Sequence, residues 1–122
     1  MEFFSKELGR LFTVLNIYGP YHNRAPYWES LPNKSFLKDK EVILGGDLNL
    51  SLGAAEVWGP QAILDPLEDF FIRYFVRSGL VDIAPQNLSA TWRNRRAGDH
   101  RVAKRLDRFL VSERMIDSVS FL

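Results

Sequence analysis

Cysteine is absent from all 122 positions, which excludes a disulfide framework and any thiolate metal site. No stretch approaches the roughly 20 apolar residues that a membrane helix requires, and the start, MEFFSKELGR, lacks the basic-then-apolar order of a secretory signal. The chain therefore reads as a soluble, intracellular protein with no membrane partner. An excess of one charge is missing too: 16 basic residues stand against 15 acidic ones, so any preference for a charged partner must lie in their distribution. Repeats, low-complexity tracts and domain linkers are also lacking. What remains is an ordinary globular composition, 46% hydrophobic and 25% charged, that fits a single domain over residues 1–122.

Strand and helix signals alternate along the chain. Leu11 to Tyr18 is rich in β-branched and aromatic residues and stops at Gly19-Pro20, the pattern of a strand ending in a turn. The preceding EFFSKELGR reads as its hairpin partner, turning near Gly9. Apolar spacing from about Arg24 to Lys38 suggests a helix that Pro32 breaks or kinks. Glu41 to Gly46 carries an apolar run without alternation, as in a strand covered on both faces. Ala54 to Leu64 reads as a loop. Asp65, Pro66, Glu68 and Gly79 then supply the start and stop signals of a helix whose Leu67, Phe70, Phe71, Tyr74 and Phe75 share one face. A brief strand, Leu80 to Ile83, follows, and Thr91-Trp92 and Arg105 to Val111 read as two strands joined by an arginine-rich turn. This order indicates an α/β fold.

Three short signals can carry chemistry. In an extended chain Asp47 and Asn49 point the same way, roughly 6.5 Å apart, at the strand end where open α/β sheets commonly hold ligands. A carboxylate beside an amide can orient water, hold a hard cation such as Mg²⁺ and hydrogen-bond a phosphate oxygen; the plain alternative is a turn. Tyr18, directed by Gly19-Pro20, can hold its phenol toward a phosphate or simply pack its ring at a sheet edge. Asp107 sits between apolar neighbours, where a partly buried acid needs a cation, an imidazole or several donors; an ion pair with Arg105 or Arg108 would also serve.

Taken in order, NIYGP, GGDLN, TWRN and RLDRFLVS resemble the later motifs of the endonuclease/exonuclease/phosphatase superfamily, the group of DNase I and the apurinic/apyrimidinic endonucleases. Within it they most resemble the endonuclease domain of plant LINE-type (non-LTR) retrotransposons, from about Leu11 to Leu122. The resemblance implies part of a two-sheet β-sandwich flanked by helices, a four-layer α/β/β/α arrangement with the active site at one end. It implies a divalent cation, usually Mg²⁺, and hydrolysis of phosphoesters. Tyr18 would then bond the phosphate, Asp47 would activate or orient the attacking water, and Asn49 would help bind the phosphate. Asp107 would orient a catalytic histidine.

Several family motifs have no counterpart here. Neither the asparagine nor the main metal-binding glutamate is found ahead of Leu11, and the Ser-Asp-His motif is absent; His22 and His100 do not stand in its place. The residues that would hold a metal are thus unknown. Tyr21 stands where some members carry an asparagine. The resemblance is to the middle and C-terminal portion of a domain, truncated at both ends, and the expectation is a chain that is inactive or weakly active alone. Half a sandwich also leaves sheet edges open to self-association.

Basic residues crowd the stretch between Arg93 and Arg108, opposed only by Asp99 and Asp107. Trp92, Arg93, Arg95, Arg96 and Arg105 are the candidate contacts to a nucleic-acid backbone; a solvated hairpin is the plain alternative. Three readings follow: a retroelement-type endonuclease acting on DNA, in the nucleus; a superfamily phosphatase acting on small phosphoesters such as inositol phosphates; and a non-catalytic nucleic-acid-binding remnant.

Overall fold

The computed structural model describes residues 2–6, 9–31 and 41–119. Strand β1 (Glu2–Ser5) pairs antiparallel with β2 (Arg10–Asn16), the hairpin that the turn at Gly9 suggests. Helix α1 (Arg24–Ser30) follows, and the rest of the expected segment beyond Leu31 lies outside the described residues. Strand β3 (Val42–Asp47) then returns parallel to β2. Residues 54–64 are not the plain loop expected: a 3-10 turn (Ala54–Glu56) leads into a short strand, β4 (Val57–Trp58). Next come α2 (Glu68–Arg77), β5 (Leu80–Asp82), β6 (Trp92–Arg93), β7 (Ala103–Lys104), β8 (Asp107–Ser112) and α3 (Glu113–Val119).

These strands form two sheets, one of five strands in the order β1-β2-β3-β8-β5 and one of three in the order β4-β7-β6. The fold is mixed α/β, as the alternating pattern indicates. One pairing differs from the sequence reading. Trp92–Arg93 pairs with Ala103–Lys104, not with the RLDRFLV strand, which joins β3 and β5 in the larger sheet. Two-residue strands carry no periodicity, so neither β4 nor β7 leaves a hydrophobic pattern to read.

Alternation sorts the larger sheet into two faces. Val42, Leu44, Leu80 and Leu110 are buried in one core cluster with Trp28, Phe71, Tyr74 and Phe75 from the helices. Trp28 is fully buried and meets Tyr27, Phe71, Tyr74 and Phe75 edge to face, with centroids 5.7–6.0 Å apart. Helix α2 turns its expected apolar face to this cluster. Its entry is an Asx turn, with Leu67 N–H donating to Asp65 Oδ1 at 2.9 Å, and helical hydrogen bonding begins beyond Pro66. On the opposite face Val14, Ile43, Val81 and Val111 are half-buried and Phe109 is 61% exposed. Strand β3 is therefore central but fully covered on one face only, contrary to the run-without-alternation reading. No described helix is long and apolar enough to cross a membrane.

Candidate active site

At one end of the larger sheet, three chain segments converge. Asp47 and Asp107 are directly opposed partners across the antiparallel β3–β8 ladder. Opposed residues share a face with Cβ atoms about 4.5–5.5 Å apart, so both carboxylates project from the same spot. The parallel β2–β3 ladder carries Asn16 to Gly45, and beyond it Gly19 N–H donates to the Asp47 carbonyl at 2.7 Å, which sets Tyr18 alongside Asp47. Tyr18 is 70% exposed, with its phenol beside that of Tyr21.

Gly46, directly before Asp47, and Gly19, directly after Tyr18, have a steric reason. A Cβ on Gly46, which holds φ 132°, would collide with the Ile17 carbonyl, and one on Gly19 would collide with the Leu48 carbonyl. The ends of β2 and β3 thus meet backbone against backbone. Only glycine permits that approach at both points.

Asn49 departs from the extended geometry. The strand ends at Asp47, and Asn49 turns into the left-handed region at φ 54°, where its main-chain N–H donates to Asp47 Oδ1 at 3.1 Å. Its side chain is buried, with Nδ2 donating to the Gly19 carbonyl and Oδ1 left without a partner. The turn chemistry of Asp and Asn prevails here over strand continuation. Asp47 and Asn49 are therefore neighbours joined by a hydrogen bond, not parallel side chains on one strand.

Around these groups the structure adds supports that sequence reasoning passed over. Arg24 grips Asp65 with two hydrogen bonds of 2.7 Å and donates to the Asn49 carbonyl at 3.1 Å. Burial alone would raise the Asp65 carboxyl, but Arg24 and the amides of Leu67 and Ser51 outweigh it and hold the group below the ordinary carboxylate range. Thr91 Oγ1 accepts from the amides of Leu106 at 2.9 Å and Asp107 at 3.0 Å, fixing the start of β8. Tyr21, 64% exposed, lies within electrostatic reach of the site: the Tyr18 phenol, loss of water and the Asp47 carboxylate push its hydroxyl above the tyrosine range. A cleft of about 270 Å³ opens beside Asn49, lined among others by Tyr21, Arg24, Trp92 and Lys104.

Two expectations about the RLDRF segment are corrected. Asp107 is exposed, not half-buried, and its ion pair with Arg105 or Arg108 does not form. Both arginines point to the opposite, interior side. Arg105 is 3% exposed and binds Glu56 at 2.6 Å and Asp82 at 2.8 Å, so it is withdrawn from any nucleic-acid surface. Arg108 binds the same two acids and donates to the Leu50 carbonyl at 3.0 Å. The sequence shows two cations flanking an acid, but strand alternation puts Arg108 opposite Asp107, and Arg105 precedes the strand. Trp92, Arg93, Arg95 and Arg96 are exposed, on or beside the β6–β7 hairpin.

Among the described residues no group of three or more histidines or acids could hold a metal ion, and neither His22 nor His100 bonds to Asp107. Magnesium, however, is commonly bound through one or two carboxylates, with waters and substrate phosphates completing the shell. The opposed Asp47 and Asp107 fit that pattern.

Comparison with known proteins bears on the fold. No protein-family model matches the chain, and a search of curated proteins finds no match. Among solved structures, the chain is similar to the endonuclease domain of TRAS1, a telomere-specific non-LTR retrotransposon, with a TM-score of 0.60 and 23% identity. The match covers 88% of this chain and 48% of that one, so the chain spans about half the length of the domain. The likeness is one of fold: a mixed α/β arrangement built on two sheets.

Proposed function

We propose that this chain carries the phosphate-binding end of a metal-dependent DNA endonuclease-type site, of the plant LINE kind within its superfamily, with cleavage weak or absent when it acts alone. The observation that carries the reading is the facing pair Asp47–Asp107 with Tyr18 beside it. Two like charges directly opposed cost stability unless a cation or a proton offsets them, which is a reason to retain them for binding.

In this reading Asp47 and Asp107 would hold Mg²⁺, which when bound supplies charge to offset that developing on a transferring phosphoryl group. Tyr18 donates its O–H to a non-bridging phosphate oxygen, and Tyr21 stands beside it as a second donor. The Asp47 carboxylate would orient the attacking water and accept its proton. Asn49 acts by position: its amide holds Gly19 and its backbone holds Asp47, so the phenol and the carboxylate keep one spacing. The cleft lined by Tyr21, Trp92 and Lys104 offers aromatic faces and a cation to the nucleotide next to the phosphate. No described imidazole meets Asp107, so protonation of the leaving oxygen lacks its usual donor; this favours slow cleavage or binding without cleavage. The nucleus is the compartment the reading calls for.

Plasmid nicking in MgCl₂, run beside a DNA-binding assay, tests it. Salt-sensitive DNA binding is expected, with nicking at a trace level that Asp47→Ala abolishes. No DNA binding at any salt, or hydrolysis of an inositol phosphate in preference to plasmid, would sink the reading.

A further inference from the structure

Four arginines of this protein, Arg10, Arg24, Arg105 and Arg108, are committed to acids. Among the described residues, Arg93, Arg95 and Arg96 bind none, although Asp99 lies in the same loop. The unpaired set converges. Together with Arg101, Trp58 and Gly59 it lines a concavity of about 190 Å³ where the β6–β7 hairpin meets β4.

This loop is built, not merely charged. Asn94 spans it with its side chain: Oδ1 accepts from Arg96 N–H at 3.1 Å and Val102 N–H at 3.0 Å, and Nδ2 donates to the His100 carbonyl at 2.7 Å. Its own N–H donates to the Val102 carbonyl at 3.0 Å, and Arg101 Nη1 donates to the Gly98 carbonyl at 2.9 Å. Arg95 is held at φ 59°, a left-handed conformation that a residue with a long side chain rarely adopts. Such a conformation persists only where surrounding bonds over-determine it. Several arginines lining one concavity, with no acid among its described lining residues, match a tetrahedral dianion or a phosphodiester.

We propose that the concavity under the β6–β7 hairpin is a preformed phosphate-binding site, separate from the Asp47–Asp107 end, with Arg93, Arg95, Arg96 and Arg101 as its donors and Asn94 as the residue that positions them. The phosphate comes from a nucleic-acid backbone, and in that one respect the inference rests on the DNA-directed reading above. Ordering a loose arginine-rich loop would weaken binding. A loop ordered in advance avoids that cost.

The test uses short duplex DNA and sodium phosphate as separate probes. Asn94→Ala removes no charge, so a purely electrostatic surface would leave binding unchanged; the site predicts a loss of duplex affinity on the order of tenfold and a salt slope shallower by about 1. Arg96→Gln, an exposed substitution that leaves the loop bonds intact, should lower the slope equally. Arg73→Gln, on the exposed side of α2, should leave it unchanged. Sodium phosphate titrated into the labelled protein should shift backbone amide resonances between Asn94 and Val102. Equal slopes for the wild type, Asn94→Ala and Arg96→Gln would overturn the proposal, as would amide shifts spread evenly over the other basic surfaces. Hydrolysis of an inositol phosphate in preference to plasmid, with these shifts retained, would instead sink the endonuclease reading and leave this site standing. Shifts with phosphate but no duplex binding would overturn the nucleic-acid source.

Discussion

At the scale of single residues, the opposed carboxylates of Asp47 and Asp107 carry a repulsion that the proposed cation would offset. Removing one charge from the directly opposed pair relieves a repulsion, so Asp107→Asn should raise the melting temperature by about 2 to 4 °C in buffer without divalent cations. Added MgCl₂ should stabilise the wild type and not the variant. A wild type whose melting is indifferent to MgCl₂, or a variant that keeps the increment, would count against a cation between the carboxylates. Asp65 behaves in the opposite sense. Its folded-state carboxyl is depressed by Arg24 and two amides, so its contribution is fully present above the unfolded value of about 4 and is lost as pH falls through the folded value. Asp65→Ala should therefore cost about 3 to 5 kcal/mol at pH 7, with the difference from wild type shrinking below about pH 4 in urea titrations. Of these residues, Tyr18, Asp47, Asn49 and Asp107 were legible because short motifs carry them. The pairing of Arg24 with Asp65 and the bonds of Thr91 to the start of β8 were not, since these partners lie far along the chain and nothing local marks a future contact.

Between elements, one link is ionic. Glu56 on the 3-10 turn and Asp82 on β5 together hold Arg105 and Arg108, with contacts from 2.6 to 3.0 Å, and Arg108 alone has no side-chain exposure. This cage lies on the side of β8 opposite Asp107. It also reaches the loop after Asn49 through the Leu50 carbonyl. Glu56→Ala would leave two interior cations short of a partner, and a loss of about 3 to 5 kcal/mol is expected in urea unfolding. Glu29→Ala, on the exposed side of α1, should stay within about 0.5 kcal/mol. Spacings of three and four announce α2, and Gly79 closes it, so that helix and its buried face were readable from the chain alone. The β6–β7 pairing was not. A strand of two residues has no period, and the register that carries Arg105 inward depends on Glu56, 49 positions earlier.

At the scale of the whole molecule, the larger sheet is asymmetric. Helices α1 and α2 cover one face, while the other presents Val14, Ile43, Val81 and Val111 half-buried, with Ile83 at 48% and Phe109 at 61% exposure. Apolar side chains gathered on one sheet face favour contact with another surface, and β1 and β5 stand at the two edges of the same sheet with their outer hydrogen-bonding groups facing away from it. Two routes to self-association therefore exist, and they respond differently to substitution. Stacking of faces is driven by apolar burial, so Phe109→Lys, which places a charge at the centre of the face, should shift the protein toward monomer at fixed concentration in sedimentation velocity. Edge pairing is driven by backbone hydrogen bonds and should not respond to Phe109→Lys. The larger apolar area lies on the face, so face stacking is expected to dominate: wild type should associate as its concentration rises through the micromolar range, and the variant should remain monomeric. Equal association of both proteins would assign the contact to the edges, and a monomeric wild type throughout that range would show that the exposed face is tolerated by itself.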